Sequence, residues 1–188
     1  MRSSPRALYL YASMLWAQSA QRDERSSWHE SAEERLSRGS GAPVAARQRR
    51  WILQLHEYEA FWSSTGRSPR ENTRDRGSLP TAERRLGEWG RYQRRYEPEL
   101  SSYQRIRLDV SPAFEWDPQE AGWRRNLNAC TTHLRRTCLL PILDSTDQEQ
   151  FALARWLARQ LHLMQTGTIA PKRAAAIKHL LAETRGNR

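Results

Sequence analysis

A chain of 188 residues suffices for one ordinary domain or two to three very small ones; only 38% of it is hydrophobic, but eight Trp supply large buried area per residue. Its 31 basic residues against 21 acidic ones leave a net charge of +10, and all the basic residues except Lys172 and Lys178 are arginine, which forks phosphate and stacks on bases. Two cysteines, Cys130 and Cys138, exclude a disulfide framework, and no apolar run of about eighteen residues offers a membrane span.

Residues 6–37 read as helix, with a weak point near Ser26-Ser27. The start of the chain imitates a secretion signal over Ala7–Ala12, but Ser13 and Gln18 break the apolar run. An amphipathic first helix is the better reading, and the expected location is cytoplasmic, on the nucleoid if the source is bacterial. A Gly/Ser/Pro turn at 38–43 leads into a helix over 44–64, where Trp51, Leu55, Tyr58 and Trp62 recur at three- and four-residue steps. Gly66 follows as a C-cap, and 66–80 is a loop rich in Pro, Gly and Arg. Thr81 is the expected N-cap of a helix through Leu86, Trp89 and Gln93 to about Tyr96, before Pro98 breaks it. Ser101 or Ser102 caps a third helix, ended by Ser111-Pro112.

The same order returns. Asp117-Pro118 opens a helix of about 119–138, and Pro141–Thr146 forms a loop. Residues 147–164 form a helix with Phe151, Leu153, Trp156, Leu157 and Leu161 on its apolar side, and after Gly167 Pro171 stands in the first turn of a last helix ending near Glu183. No segment alternates with period two, so the predicted class is all-α.

This return is a repeat. Leu86-Gly87-Glu88-Trp89-Gly90-Arg91-Tyr92-Gln93 and Leu153-Ala154-Arg155-Trp156-Leu157-Ala158-Arg159-Gln160 both fit Leu-small-x-Trp-x-x-x-Gln, 67 positions apart (156 − 89). Trp51 and Leu55 match Trp123 and Leu127 at a separation of 72 (123 − 51), so the first copy's loop is five residues longer (72 − 67). Such periodicity predicts tandem three-helix units at 51–118 and 119–188, preceded over 1–50 by a degenerate copy or a helical extension. The expected core is Trp51, Leu55, Trp62, Leu86, Trp89, Gln93 and Trp116 in the first unit, and Trp123, Leu153, Trp156 and Gln160 in the second. Gln93 and Gln160 share a helix face with Trp89 and Trp156, and the role expected of them is to satisfy buried backbone groups at a loop.

The chemistry-bearing patterns point away from catalysis. The five His are scattered singly, none beside a Ser or Cys in a nucleophile motif. Gly39-Ser40-Gly41 lacks the Gly-Lys-Ser/Thr of a phosphate-binding loop, and Cys130-x2-His133-x4-Cys138 lacks the paired spacing of a structural zinc site. No enzyme activity, metal or cofactor is expected. Positive charge, in contrast, lies beside the Trp helix of both units: Arg84, Arg85, Arg91, Arg94, Arg95, Arg105 and Arg107 in the first, and Arg155, Arg159, Lys172, Arg173 and Lys178 in the second. Phosphate binding needs such a stripe, and Arg91, Arg94, Arg95, Arg105 and Arg107 are its expected centre.

The stretch LGEWGRYQRRYEPELSSYQRIRL, with FWSSTGRSP before it and FEW after it, resembles the bacterial helicase-associated domain, a short all-α repeat found in tandem behind helicase cores. Leu86, Gly87, Trp89, Gln93, Arg94, Leu100, Arg105, Phe114 and Trp116 fill the pattern; in the second unit Ala154 replaces its Gly and Leu161 its Arg. The resemblance implies three-helix units presumed to bind nucleic acid, here without helicase motor motifs. The expected function is therefore a non-enzymatic nucleic-acid-binding protein, for DNA rather than RNA, with a helicase or other replication protein as a further partner and no membrane. The alternative is a protein–protein adaptor for a helicase or replication factor.

Overall fold

A computed structural model describes residues 4–20, 23–40, 43–71, 76–144 and 146–186. They form α1 (Pro5–Gln18), α2 (Glu24–Ser37), α3 (Ala46–Thr65), α4 (Thr81–Arg95), α5 (Ser102–Asp109), α6 (Pro118–Thr137), α7 (Gln148–Gln165) and α8 (Pro171–Gly186), with short 3-10 turns at Arg76–Ser78 and Glu97–Glu99 and no strand among them. The class is all-α, as the absence of period-two alternation predicts. The chain divides into two compact units, Met1–Trp116 and Asp117–Arg188.

Caps set most of the boundaries. Gly66 and Gly167 take the left-handed conformation at φ 73° and 68°, closing α3 and α7. Ser101 forms a full capping box with Gln104, and Asp117 and Asp147 cap α6 and α7 with their side chains. Two expectations move. Residues 6–37 are two helices, because the Asp23 carboxylate accepts from the Ser26 amide at 2.8 Å and starts α2 there. Ser26-Ser27 thus lies inside the first turn of α2, not at a break. Thr81 is the first helical residue of α4 rather than its cap; Pro80 holds the cap position and no side chain caps this end.

In the first unit α5 packs on α1 and α2, α2 on α3, and α3 on α4. Trp51, Ile52, Leu55, Tyr58, Leu86, Trp89, Leu108 and Phe114 form the main core, with Trp62 and Trp116 half-buried against it. A smaller cluster of Tyr9, Ala12 and Tyr103 joins α1 to α5. Through its centre runs a charged network. Arg107 of α5, 0% exposed, donates from Nε to Glu33 of α2 at 2.8 Å and from its two terminal nitrogens to Glu59 of α3 at 2.7 and 2.9 Å. The Tyr103 hydroxyl donates to Glu33 at 2.9 Å, the Ser111 hydroxyl to Glu59 at 2.8 Å, and His56 Nε2 lies 3.1 Å from Glu33. Burial alone would raise the Glu33 carboxyl, but the His56 hydrogen bond and the Arg107 charge outweigh it and hold it below the ordinary range.

The loop before α4 is tied down by Glu83, which accepts from the Arg67 guanidinium at 2.6 Å and from the Arg70 amide and guanidinium at 3.0 Å. This brings the Arg70 carbonyl so close to α4 that a Cβ on Gly87 would lie 2.5 Å from it. The small residue of the Leu-Gly-x-Trp motif is thus set by a backbone approach. In the second unit, α6, α7 and α8 pack mutually around Trp123, Cys130, Leu134, Leu157, Ile177 and Leu180, with Leu153 and Trp156 half-buried against them.

Arg107→Ala leaves two buried carboxylates without their counter-charge and should lower stability by about 3–5 kcal/mol in urea titrations. A second expectation concerns acid. The Arg67 hydrogen bond leads, against burial and with help from Arg70, in holding Glu83 down to about 2 from an ordinary 4.5. Since the folded value is depressed, the stabilisation is complete above pH 4.5 and is lost as pH falls towards about 2. The melting-temperature gap between wild type and Glu83→Gln should therefore narrow on acidification across that window.

Candidate nucleic-acid interface

The arginines singled out by sequence meet four different fates. Arg107 is buried among carboxylates, which corrects its expected place in a phosphate-binding patch: it has no route to solvent. Arg94 is only 12% exposed; it pairs with Glu71, donates to the Glu115 carbonyl at 2.9 Å and lies over the Phe114 ring at 5.3 Å. Arg85, Arg105 and Arg173 are engaged by Glu57, Glu97 and Glu120 at 2.7, 3.1 and 2.8 Å. The remainder carry no carboxylate partner among the described residues: Arg84 and Arg91 are half-buried, whereas Arg95, Arg155, Arg159, Lys172 and Lys178 are exposed. Arg95 and Arg155 lie over the rings of Tyr96 and Phe151.

One concave site of the first unit lies elsewhere, lined from α2, α3, α4 and α5. It is a cleft of about 310 Å³, and two helices furnish it with the same spacing. From α3 come Arg47, Arg50, Trp51 and Gln54; from α4 and its C-cap residue come Trp89, Tyr92, Gln93 and, at the cap, Tyr96. Each set is i, i+3, i+4, i+7, one face of a helix. The floor is made by the i+4 members: the buried Trp51 indole donates to the Gln93 amide oxygen at 2.9 Å, and the Trp51 and Trp89 rings lie 6.2 Å apart. The Gln93 side chain thus serves an indole N–H rather than the backbone groups expected from sequence.

The rim is different in kind. Among the described residues the Arg47 and Arg50 side chains have no hydrogen-bond or ion-pair partner, and Arg25 of α2 donates to the Glu99 carbonyl at 2.9 Å. Tyr92 is 57% exposed and its ring lies 4.5 Å from that of Tyr96. His29 lines the cleft and meets the Trp51 ring edge-on at 5.7 Å. Burial first, and then the charges of Arg25 and Arg47, hold its pKa below the ordinary value against its bond to the Arg25 carbonyl. Neutral His29 thus donates from Nδ1 to that carbonyl at 2.8 Å. Past His29 a smaller hollow of about 150 Å³ continues between Arg25, Arg47 and Gln104 to Trp28, itself 51% exposed.

The second unit keeps the floor and loses the rim. Trp123 donates to Gln160 at 3.0 Å and its ring lies 5.9 Å from Trp156. At the spacings of 72 and 67, however, Gln119 and Gly122 stand where α3 has Arg47 and Arg50, and Arg159 and Leu163 stand where α4 has Tyr92 and Tyr96. The paired tryptophans and glutamine therefore need neither the arginines nor the tyrosines above them.

The sequence put Arg91 and Arg95 in the expected phosphate-binding patch, but neither lines this cleft, and it did not single out Arg25, Arg47, Arg50, Tyr92 and Tyr96, which do. The signal that would have found the last four is the shared i, i+3, i+4, i+7 pattern around Trp51 and Trp89; nothing local in sequence brings in Arg25. No family model, curated protein or solved structure matches this chain.

Replacing Gln93 with Leu leaves the Trp51 N–H buried and unpaired. It should cost about 1–3 kcal/mol of stability by urea denaturation. Gln160→Leu should cost the second unit a similar amount, while Gln54→Leu, which orphans no protein group, should cost far less.

Proposed function

We propose that the chain is a non-enzymatic nucleic-acid-binding protein that holds phosphates at the arginine rim of the first unit, with exposed cations of the second adding attraction. The observation that carries this reading is the cluster of Arg25, Arg47 and Arg50 around an open cleft, none of them with a carboxylate partner among the described residues, in a protein where many other arginines have one. Unpaired guanidinium groups gathered on a concave surface attract polyanions, and each phosphate they neutralise releases condensed counterions. The recurrence of the Trp–Gln bond and the tilted Trp pair supports α3–α5 and α6–α8 as tandem copies of one three-helix unit. The resemblance to helicase-associated repeats points the same way. DNA is favoured over RNA on that resemblance alone.

The adaptor reading has its own observation. Leu10, Tyr11 and Met14 are about half exposed on α1, and Leu139, Ile142 and Leu143 are more exposed on the segment after α6. Apolar side chains grouped on a surface favour a protein partner.

Salt-titrated anisotropy with random-sequence DNA separates the two. Binding should weaken steeply with salt, and Arg47→Glu with Arg50→Glu should cut affinity at least about tenfold and flatten the log–log slope by roughly one unit per lost contact. The control is Arg6→Glu with Arg136→Glu, the same formal charge change at exposed positions that do not line the cleft. Equal losses in both double variants would reduce the interaction to generic attraction, and no loss in either would favour the adaptor.

A further inference from the structure

We infer that the cleft takes a single strand rather than a duplex, with phosphates on Arg25, Arg47 and Arg50 and unpaired bases stacked on Tyr92 at one end and Trp28 at the other. The inference rests on the nucleic-acid reading above and gives that site its substrate class.

Three observations support it. First, cations and exposed rings line two adjoining cavities that share Arg25, His29, Arg47 and Gln104. Trp28, Arg25 with Arg47, Arg50, and then the Tyr92–Tyr96 pair line the two contiguous cavities. Single-strand sites are built this way, since every base has a face that stacks and every linkage carries a charge. A duplex hides its base faces in its own stack and presents only phosphates and groove edges. It would have no use for a tyrosine left 57% exposed or a tryptophan left 51% exposed. Second, the cleft contains amide groups with hydrogen-bonding capacity to spare. Gln54 makes no hydrogen bond among the described residues, and Gln104 uses its carbonyl oxygen to accept from Ser101, which leaves its amide donors available. Both can meet a base edge inside a cavity of about 310 Å³, which admits a flat base and not the width of a double helix. Third, the rings are not there for packing. The second unit builds the same Trp–Gln floor with Arg159 and Leu163 in the places of Tyr92 and Tyr96.

The test uses the full chain and fluorescein-labelled probes of about twenty units: oligo-dT, oligo-rU and a random-sequence DNA duplex, long enough to cover the usual single-strand site. Trp28→Ala with Tyr92→Ala should weaken binding of the single strands about tenfold or more and leave the duplex within about twofold. It should leave the salt slope unchanged, because no charge is removed. Trp28→Phe with Tyr92→Phe, which keeps both stacking faces, should restore single-strand binding and so separate stacking from loss of fold. The wild type should bind at least one of the two single strands more tightly than the duplex; which of the two binds better identifies the sugar. If the Ala pair leaves single-strand binding unchanged while Arg47→Glu with Arg50→Glu still weakens it, stacking is wrong and the phosphate reading survives. The same conclusion follows if the Ala pair weakens duplex and single strand alike. If the Arg pair also has no effect, both readings fall.

Discussion

One indole N–H donated to one glutamine amide ties α3 to α4 in the first unit, and the same bond ties α6 to α7 in the second. Trp51 and Gln93 are both buried, so an alternative rotation of α3 or α4 would leave an unpaired donor and acceptor away from water. Ring contacts reinforce the choice, with Trp89 between Trp51 at 6.2 Å and Tyr58 at 5.5 Å. Once that rotation is set, helical geometry dictates what rises above the bond. The neighbours of Trp51 one turn to either side are Arg47 and Gln54, and those of Gln93 are Trp89 and Tyr96. Which positions line the cleft is therefore a consequence of the same constraint that holds the core together.

Much of this was written in local sequence. The helices at 46–65, 81–95 and 148–165 follow from Trp and Leu spacing, and the glycine and aspartate caps lie where their chemistry puts them. The correspondence of Trp51 and Gln93 with Trp123 and Gln160 could be counted off the sequence, and each pair is hydrogen-bonded. What counting could not supply was which members bond: the pairing joins Trp51 to Gln93, not the Trp89 that shares its helix face. The fate of Arg107 was equally hidden, because its partners Glu33 and Glu59 lie 74 and 48 positions away on separate helices. Arg105 and Arg107 stand two apart on one short helix; one is exposed and the other has no solvent contact at all. A basic residue on an amphipathic helix says nothing of burial until the opposing faces are known.

The two units then use a common floor for different surfaces. In the second, Arg173 covers the Trp123 ring at 5.2 Å and is held by Glu120, so a cation closes over the indole. In the first, His29 meets the Trp51 ring edge-on, and its neutral form adds no charge beside Arg25 and Arg47. Glu99 is the one carboxylate lining that cleft, and its backbone carbonyl, not its side chain, engages Arg25. The cleft thus keeps three positive groups against one negative group.

Burial also separates the charges that make the fold from those left open to solvent. Arg107 with Glu33 and Glu59 lies out of reach of mobile ions, and its attraction is screened little by added salt. Arg47 and Arg50 stand at an open rim, where a Debye length of about 8 Å at physiological ionic strength weakens them readily. Salt therefore acts on the rim charges well before it acts on the unit that carries the cleft. A strongly salt-dependent interaction can be made and released on this scaffold without loosening it, because its structural arginine and its rim arginines occupy different dielectric environments.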